Sequence, residues 1–413
     1  MLVSYELGKG NVCIDLNGLS VHKDFLQVEN DESLKAVAKE LKQLDAYVRD
    51  NPVSTWESRL QALDCIGEKQ PLVIKNHYLY LNRYWRYEHQ LAESIKIKSA
   101  HQCFSSFRNK LDMLFPPGTD LDWQKIAAAI AVSRQFSVIS GGPGTGKTTT
   151  VSRILAMLIL LYQQQDILPV IKLTAPTGKA AARLNESLAE AVKEIKMDEV
   201  KAGFPTQAST IHRLLKMRGA QTGFVHHKHN PLVVDVLIVD EASMVDLPLM
   251  SKLVSALPDH AQLILLGDKD QLSSVEAGSV LGDICSFMDQ GYSNKQLEFI
   301  AAETGYQLKQ NQETEHINCF ADSLCQLKKS YRFDKESGIG QLAKAVNRGE
   351  VDKVTHILAE GHNDIDYVSQ DRAAQGYAVQ GCSEIQRSEK LILLAAAAYR
   401  AYLQLIVEKA EPT

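Results

Sequence analysis

The feature that most constrains this chain is the run Gly141-Gly142-Pro143-Gly144-Thr145-Gly146-Lys147-Thr148, continued by Thr149 and Thr150. It fits the pattern GxxxxGK[ST], with an apolar strand-like run (Phe136–Ser140) before it and a helical stretch (Lys147–Gln163) after it. Glycines let such a loop turn its N–H groups inward. Those donors and the helix N-terminus then hold phosphates. Lys147 is expected to reach the β- and γ-phosphates, and the Thr148 hydroxyl to ligate Mg²⁺. ATP with Mg²⁺ is therefore the expected cofactor pair. The alternative, a glycine-rich turn without a ligand, is disfavoured by the pattern and its context together.

The chain around this loop reads as three blocks, with no internal repeat and no low-complexity tract. Residues 1–117 read as mainly helical, with a short hairpin around Asn76-His77, and end at Phe115-Pro-Pro-Gly118. In residues 118–326, runs at Phe136–Ser140, Val170–Ala175, Val236–Asp240 and Leu263–Gly267 alternate with helices near Lys147–Gln163, Gly178–Ile195 and Leu247–Leu257. Strands apolar throughout and separated by helices predict an α/β fold, a parallel sheet covered on both faces. Residues 327–413 read mostly as helix: Ser337–Arg348, Val351–Ala359 and Glu389–Lys409.

Charge removes one class of function. With 45 Lys+Arg against 50 Asp+Glu, the net charge of -5 excludes nucleic-acid binding by bulk positive charge but leaves room for a local basic groove. Seven cysteines without a CxxC pair argue against a disulfide framework and a structural zinc module. No signal-peptide pattern is found at the start, and no membrane-spanning run, so the expected location is cytoplasmic.

Three further motifs follow strand-like runs. In Asp235-Val-Leu-Ile-Val-Asp240-Glu241, Asp240 ends a buried strand where α/β sheets bind ligands, and it can hold Mg²⁺ directly or through water. Glu241 is placed to polarise an attacking water as general base. In Gly267-Asp268-Lys-Asp270-Gln271, the neutral amide of Gln271 can sense a γ-phosphate, although a capped turn would look the same. In Ala175-Pro176-Thr177-Gly178-Lys179, a hydroxyl, backbone N–H groups and a lysine suit phosphodiester contact. A helix N-cap is the alternative there, as it is for Thr210 and His212 in Ser209-Thr-Ile-His-Arg213.

Taken in order, GGPGTGKTTT, LTAPTGKAAARL, STIHRLL, VLIVDEASMVD, GDKDQLSSVEAGSVLGDIC and KSYRF resemble the RecD family. These are the α subunits of bacterial exodeoxyribonuclease V, superfamily 1 helicases of the 5′-to-3′ group. The resemblance covers nearly the whole chain and is most specific from Leu121 to Gly349, and PLVIKNHYLYLNRYWRYEHQLA is similar to the family's partner-docking domain. It implies a RecA-like motor domain at 118–326, a docking domain before it and part of a second RecA-like domain after it. It also implies that Gln124 recognises adenine and that Arg332 reaches the γ-phosphate from the second motor domain. Pro176, Thr177, Lys179, Thr210 and His212 would track the 5′-ended single strand of a duplex DNA end. RecB-like and RecC-like subunits are the implied partners in repair of double-strand breaks. A non-catalytic assembly subunit, or an ATPase acting on RNA or in plasmid transfer, are the other readings.

The chain departs from the family pattern after Arg332. Only 81 residues follow, whereas a second motor domain needs roughly 150, and the family's late Thr-x-His-Lys-Ser-Gln-Gly-like and Thr-Arg-Ala-like stretches are not found. Family members also begin several helical turns earlier. The chain is thus expected to be a fragment, with weak nucleotide binding, little turnover and no unwinding alone. The Tyr78–Tyr87 aromatic cluster reads as core or partner interface, and His226, His227 and His229 as a solvated loop.

Overall fold

A computed structural model of the protein describes residues 2–17, 43, 46–47, 50–116, 118, 120–194, 198–205, 207–217, 223–272, 274, 276–309, 319–331, 337–365, 396, 399–400 and 404. The helices expected at Glu32–Leu44 and Glu389–Lys409 lie almost wholly outside these residues. The chain divides into two compact units, Met1–Arg332 and Phe333–Thr413.

The first unit is organised by six parallel strands: β4 (Phe136–Gly141), β5 (Ile171–Ala175), β6 (Ala208–Thr210), β7 (Val236–Val239), β8 (Gln262–Gly267) and β9 (Leu324–Leu327). Their order across the sheet is β6-β5-β7-β8-β4-β9. Alternation divides their side chains between two cores. Ile139, Val236, Ile238, Ile264 and Leu266 enter the core on one face; Val138, Leu237, Val239, Leu263 and Leu265 enter the core on the other. Because both faces are covered, every position on β4, β7 and β8 is buried, and the strands read as unbroken apolar runs. Each such side chain contributes about 1.5–3 kcal/mol on burial.

One face is covered by α4 (Arg108–Leu114), α5 (Trp123–Ser133), α6 (Lys147–Gln163) and α7 (Gly178–Glu194). Helix α5 is buried on nearly all sides, since its alanines let neighbouring backbones approach closely. The other face takes α3 (Asn82–Ala100), α10 (Leu247–Ser255) and α11 (Val280–Cys285). Two short helices, α8 (Asp198–Gly203) and α9 (Ile211–Leu215), flank β6.

The N-terminal part adds α1 (Leu2–Gly8), α2 (Val53–Gln61) and an antiparallel sheet of β1 (Cys13–Asp15), β2 (Leu72–Lys75) and β3 (Tyr78–Leu81), in the order β1-β3-β2. Asn76 and His77, at φ 49° and 64°, form the hairpin turn expected from the sequence. Among the described residues, two sets of polar contacts join it and α3 to the elements of the large sheet. The buried Lys98 ammonium donates to the carbonyls of Pro258 (3.1 Å), Asp259 (3.1 Å) and Ala261 (2.8 Å). Gly278, at φ 105°, donates its N–H to Gly10 O at 3.0 Å, and a Cβ there would meet the Leu247 Cβ at 2.6 Å.

Strands β6 and β9 were not foreseen, being only three and four residues long. Strand β9 is held by a buried polar node. Asp322 accepts from the N–H (2.8 Å) and hydroxyl (2.7 Å) of Ser293, the N-cap of α12 (Asn294–Thr304), and lies 3.7 Å from Arg134. The second unit shows α13 (Gly338–Asn347) and α14 (Val351–Glu360). Asp364 accepts from the Ser337 hydroxyl at 2.6 Å and from Gly338 N–H at 3.0 Å, capping α13. No described helix is long and apolar enough to cross a membrane.

Candidate functional site

Every motif loop leaves the same edge of the large sheet. Three adjacent strands, β4, β8 and β7, deliver the glycine-rich loop, the Asp268–Gln271 turn and the Asp240-Glu241 pair. Strands β5 and β6, next in line, deliver Pro176–Lys179 and Thr210–His212. In the β4–β8 ladder Ser140 pairs with Gly267, which sets Gly141 level with Asp268.

The loop turns through Gly144 and Gly146, both left-handed at φ 75° and 78°. Thr145 Oγ1 donates to Gly142 O at 2.8 Å and braces the turn, while Pro143 is exposed. The Lys147 ammonium donates to Gly141 O, folded back across the loop. Thr148 and Thr149 are exposed at the first turn of α6. Gln124 is buried, 8% exposed. Its amide donates to Thr145 O at 3.1 Å and occupies the space that a Cβ on Gly146 would take. Asp122 caps α5, accepting from the N–H groups of Gln124 (2.8 Å) and Lys125 (3.3 Å), and so orients this contact.

The acids sit around Lys147. Asp240 accepts from Glu241 N–H at 2.8 Å, and burial pushes its carboxyl above the usual carboxylate range, against the pull of Lys147. Asp268 is only 4% exposed and is raised for the same reason, again opposed by Lys147. Glu241 takes a left-handed backbone at φ 50°, uncommon for a residue with a Cβ, and its Oε2 is buried without a hydrogen-bond partner. The Ser243 hydroxyl donates to Gln271 Oε1 at 3.4 Å, joining the loops after β7 and β8. The Thr148 hydroxyl and Asp240 carboxylate are hard oxygen donors, which fit a magnesium ion.

On the neighbouring strands, Ala175 pairs with Thr210. Both threonine hydroxyls cap helices, Thr177 accepting from Ala180 N–H (3.2 Å) and Thr210 from Arg213 N–H (3.3 Å). Lys179 and His212 are exposed, and Pro176 is half-buried. The His212 ring lies 5.9 Å from that of Phe224.

Arg332 lies outside the described residues. Its neighbour Tyr331, which the sequence did not single out, donates its N–H to Gly144 O at 2.7 Å. The Tyr331 ring is 61% exposed beside Gly146, and the Lys328 ammonium lies 4.3 Å over the Trp123 ring. The short, mostly apolar stretch Leu324-Cys-Gln-Leu327 ahead of Lys-Ser-Tyr-Arg was the available clue that a strand carries this segment to the loop.

Residues 1–80 match the model of the RecBCD enzyme subunit RecD, N-terminal domain, and residues 124–277 match the model of an AAA domain. The RecBCD enzyme subunit RecD of Haemophilus influenzae is 38% identical over 370 residues, 85% of this chain and 56% of that protein. The RecD of Buchnera aphidicola subsp. Acyrthosiphon pisum is 33% identical, covering 83% of this chain and 56% of that protein. Over most of its length this chain is similar to RecD. The RecD of Mycolicibacterium smegmatis adds 35% identity over 78% of this chain and 52% of its own length. The chain thus spans just over half the length of the RecD proteins it matches. The AAA-domain match opens on Gln124 and extends past Gln271, enclosing every motif loop from β4 to β8.

Proposed function

We propose that the chain is the nucleotide-hydrolysing part of an ATP-dependent 5′-to-3′ DNA helicase subunit, working in the cytoplasm with RecB-like and RecC-like partners at duplex DNA ends. The observation that carries this reading is the shared sheet edge, with a phosphate and acid site on β4, β8 and β7 and polar loops on β5 and β6. A rearrangement around a γ-phosphate then lies one strand away from a groove that grips a DNA backbone. The boundaries 1–117 (docking), 118–326 (first motor domain) and 327–413 (part of a second) belong to the same reading.

The residues divide the work as follows. Gln124 reads the adenine, and the exposed Tyr331 ring beside it offers a stacking face. The N–H groups from Gly142 to Thr149 cradle the phosphates, with Gly141, Pro143, Gly144 and Gly146 shaping the turn. Lys147 exchanges its Gly141 carbonyl for the β- and γ-phosphates. Thr148 and Asp240 are the residues that would hold Mg²⁺, which would supply positive charge against the phosphates. Glu241, whose Oε2 has no partner, takes a proton from the attacking water. Gln271, tied to Ser243, senses the γ-phosphate, and Arg332 supplies the second cation. Pro176, Thr177, Lys179, Thr210 and His212 hold single-stranded DNA through backbone contacts.

The test is ATP hydrolysis and strand translocation by the complex with its RecB- and RecC-like partners, comparing the wild-type subunit with Lys147→Gln. DNA-stimulated hydrolysis assigned to this subunit and 5′-to-3′ movement should both be lost. Unchanged 5′-to-3′ translocation would rule out the motor role, and stimulation by RNA but not DNA would rule out the substrate.

A further inference from the structure

Thr174 is a polar residue at a position whose surroundings call for an apolar one. It lies on β5, between β6 and β7 in the sheet, and its ladder partners are Ser209 on one side and Val239 on the other. The sheet is covered on both faces, and Thr174 is fully buried. Valine has the same branched shape and the same preference for strands, so packing alone does not require the hydroxyl. A buried hydroxyl costs free energy unless it is hydrogen-bonded. This one has its partner: Thr174 Oγ1 donates to Ser209 O at 2.8 Å.

The main chain of the same residue reaches the opposite neighbour. Thr174 O accepts from Asp240 N–H at 2.8 Å. Thr174 therefore joins a carboxylate residue of the nucleotide site, just past the end of β7, to the residue that precedes Thr210 on β6. Strand β6 is three residues long and borders β5 alone at the sheet edge. A short edge element of this kind shifts at a lower free energy than a central strand. Its first residue is held from α7, where Ala208 N–H donates to Asn185 Oδ1 at 2.6 Å. Its second, Ser209, is held by the Thr174 hydroxyl, and the Thr210–His212 loop follows directly.

We infer that Thr174 is a positioning residue that couples the nucleotide site to the single-strand contact carried by β6. The inference rests on the reading of this chain as a DNA-stimulated ATPase, and adds the residue through which its two sites influence each other. A displacement of Asp240 on filling or emptying the nucleotide site passes through the Thr174 peptide to its hydroxyl, and from there to Ser209 and Thr210. Coupling between binding sites is reciprocal, so a strand seated on Thr210 and His212 biases Asp240 by the same route. The hydroxyl itself touches neither ligand.

The test uses the complex with RecB- and RecC-like partners, and takes as this subunit's share the hydrolysis that Lys147→Gln removes. That share is measured over a range of ATP concentrations, with and without a single-stranded oligonucleotide. Thr174→Val keeps the shape and removes the donor. It should leave the unstimulated rate and the KM for ATP within about twofold of wild type, and lower the stimulation by the oligonucleotide about two- to tenfold, the range of one net hydrogen bond. Thr174→Ser keeps the hydroxyl and should keep the stimulation. If the valine variant melts below the assay temperature, Thr174→Ala is judged by the same ratio. A hydroxyl that only stabilises the fold would lower melting and scale the stimulated and unstimulated rates together. An unchanged stimulation ratio in Thr174→Val, or one lowered equally in Thr174→Ser, overturns the inference alone. If Lys147→Gln removes no hydrolysis, the inference falls together with the motor reading.

Discussion

The backbone N–H of Tyr331 donates to the carbonyl oxygen of Gly144 at 2.7 Å, so the segment leaving β9 is latched to the glycine-rich loop. The latch is made by main chain and leaves the tyrosine ring 61% exposed beside Gly146. Tyr331→Ala should therefore keep the latch and remove only the ring. A stacking contact of about 0.5–1.5 kcal/mol predicts ADP binding weakened roughly 2- to 12-fold, with no change in melting temperature. Titration with a fluorescent ADP analogue measures it, and unaltered affinity would remove the ring from the site.

Gly146 and Gln124 share one space. Gly146→Ala adds a Cβ where the Gln124 amide sits and forces a side chain into a left-handed backbone, a strain of about 1–3 kcal/mol. The variant should unfold at lower urea and lose nucleotide binding. Adding Gln124→Ala should return part of the stability, because the two changes act on the same contact. Strictly additive losses would show that the clash is relieved elsewhere.

Asp322 ties β9 to α12 and faces Arg134 from a site that is 3% exposed. Asp322→Ala leaves Arg134 buried without its acid. A loss of about 3–5 kcal/mol in chemical unfolding is expected. A loss below 1 kcal/mol would mean that Gln296, which also accepts from Arg134, suffices.

Lys179 is exposed at the start of α7. If it contacts one phosphate, Lys179→Ala should weaken single-strand binding evenly across sequences and lower the salt-dependence slope by about 0.7. Binding isotherms at several salt concentrations give the slope, and an unchanged slope would place Lys179 off the strand.

Glu88 predicts a pH effect with a definite sign. Burial raises its folded-state pKa above the unfolded value, so the protonated form favours the fold. That contribution is complete below the unfolded value of about 4.3 and disappears as pH rises through the folded pKa. Glu88→Gln should therefore melt higher than wild type at pH 8, with the gap closing toward pH 4. A gap that widens on acidification would reverse the assignment.

The sequence alone carried the kind of fold and the identity of the nucleotide loop. An unbroken apolar run needs two covered faces, so the runs over Val236–Val239 and from Leu263 to Gly267 read as interior parallel strands. The spacing from Gly141 to Thr148 is local, and its chemistry is written in consecutive residues. The helical boundaries at Lys147–Gln163 and the turn at Asn76-His77 follow from the same short-range rules.

Other relationships were decided only by the tertiary structure, because they join residues far apart in the chain. Strand order placed β8 between β4 and β7 and so gathered Lys147, Asp240 and Asp268 around one point, although they are spread over more than a hundred residues. The burial of Gln124 on the loop, the seating of Tyr331 on Gly144 and the joining of Asp240 to Ser209 through Thr174 arise from packing between separate elements. Local pattern records which face of an element is apolar. Which other element covers that face, and what is left uncovered between them, is set by the free energy of the whole packed arrangement.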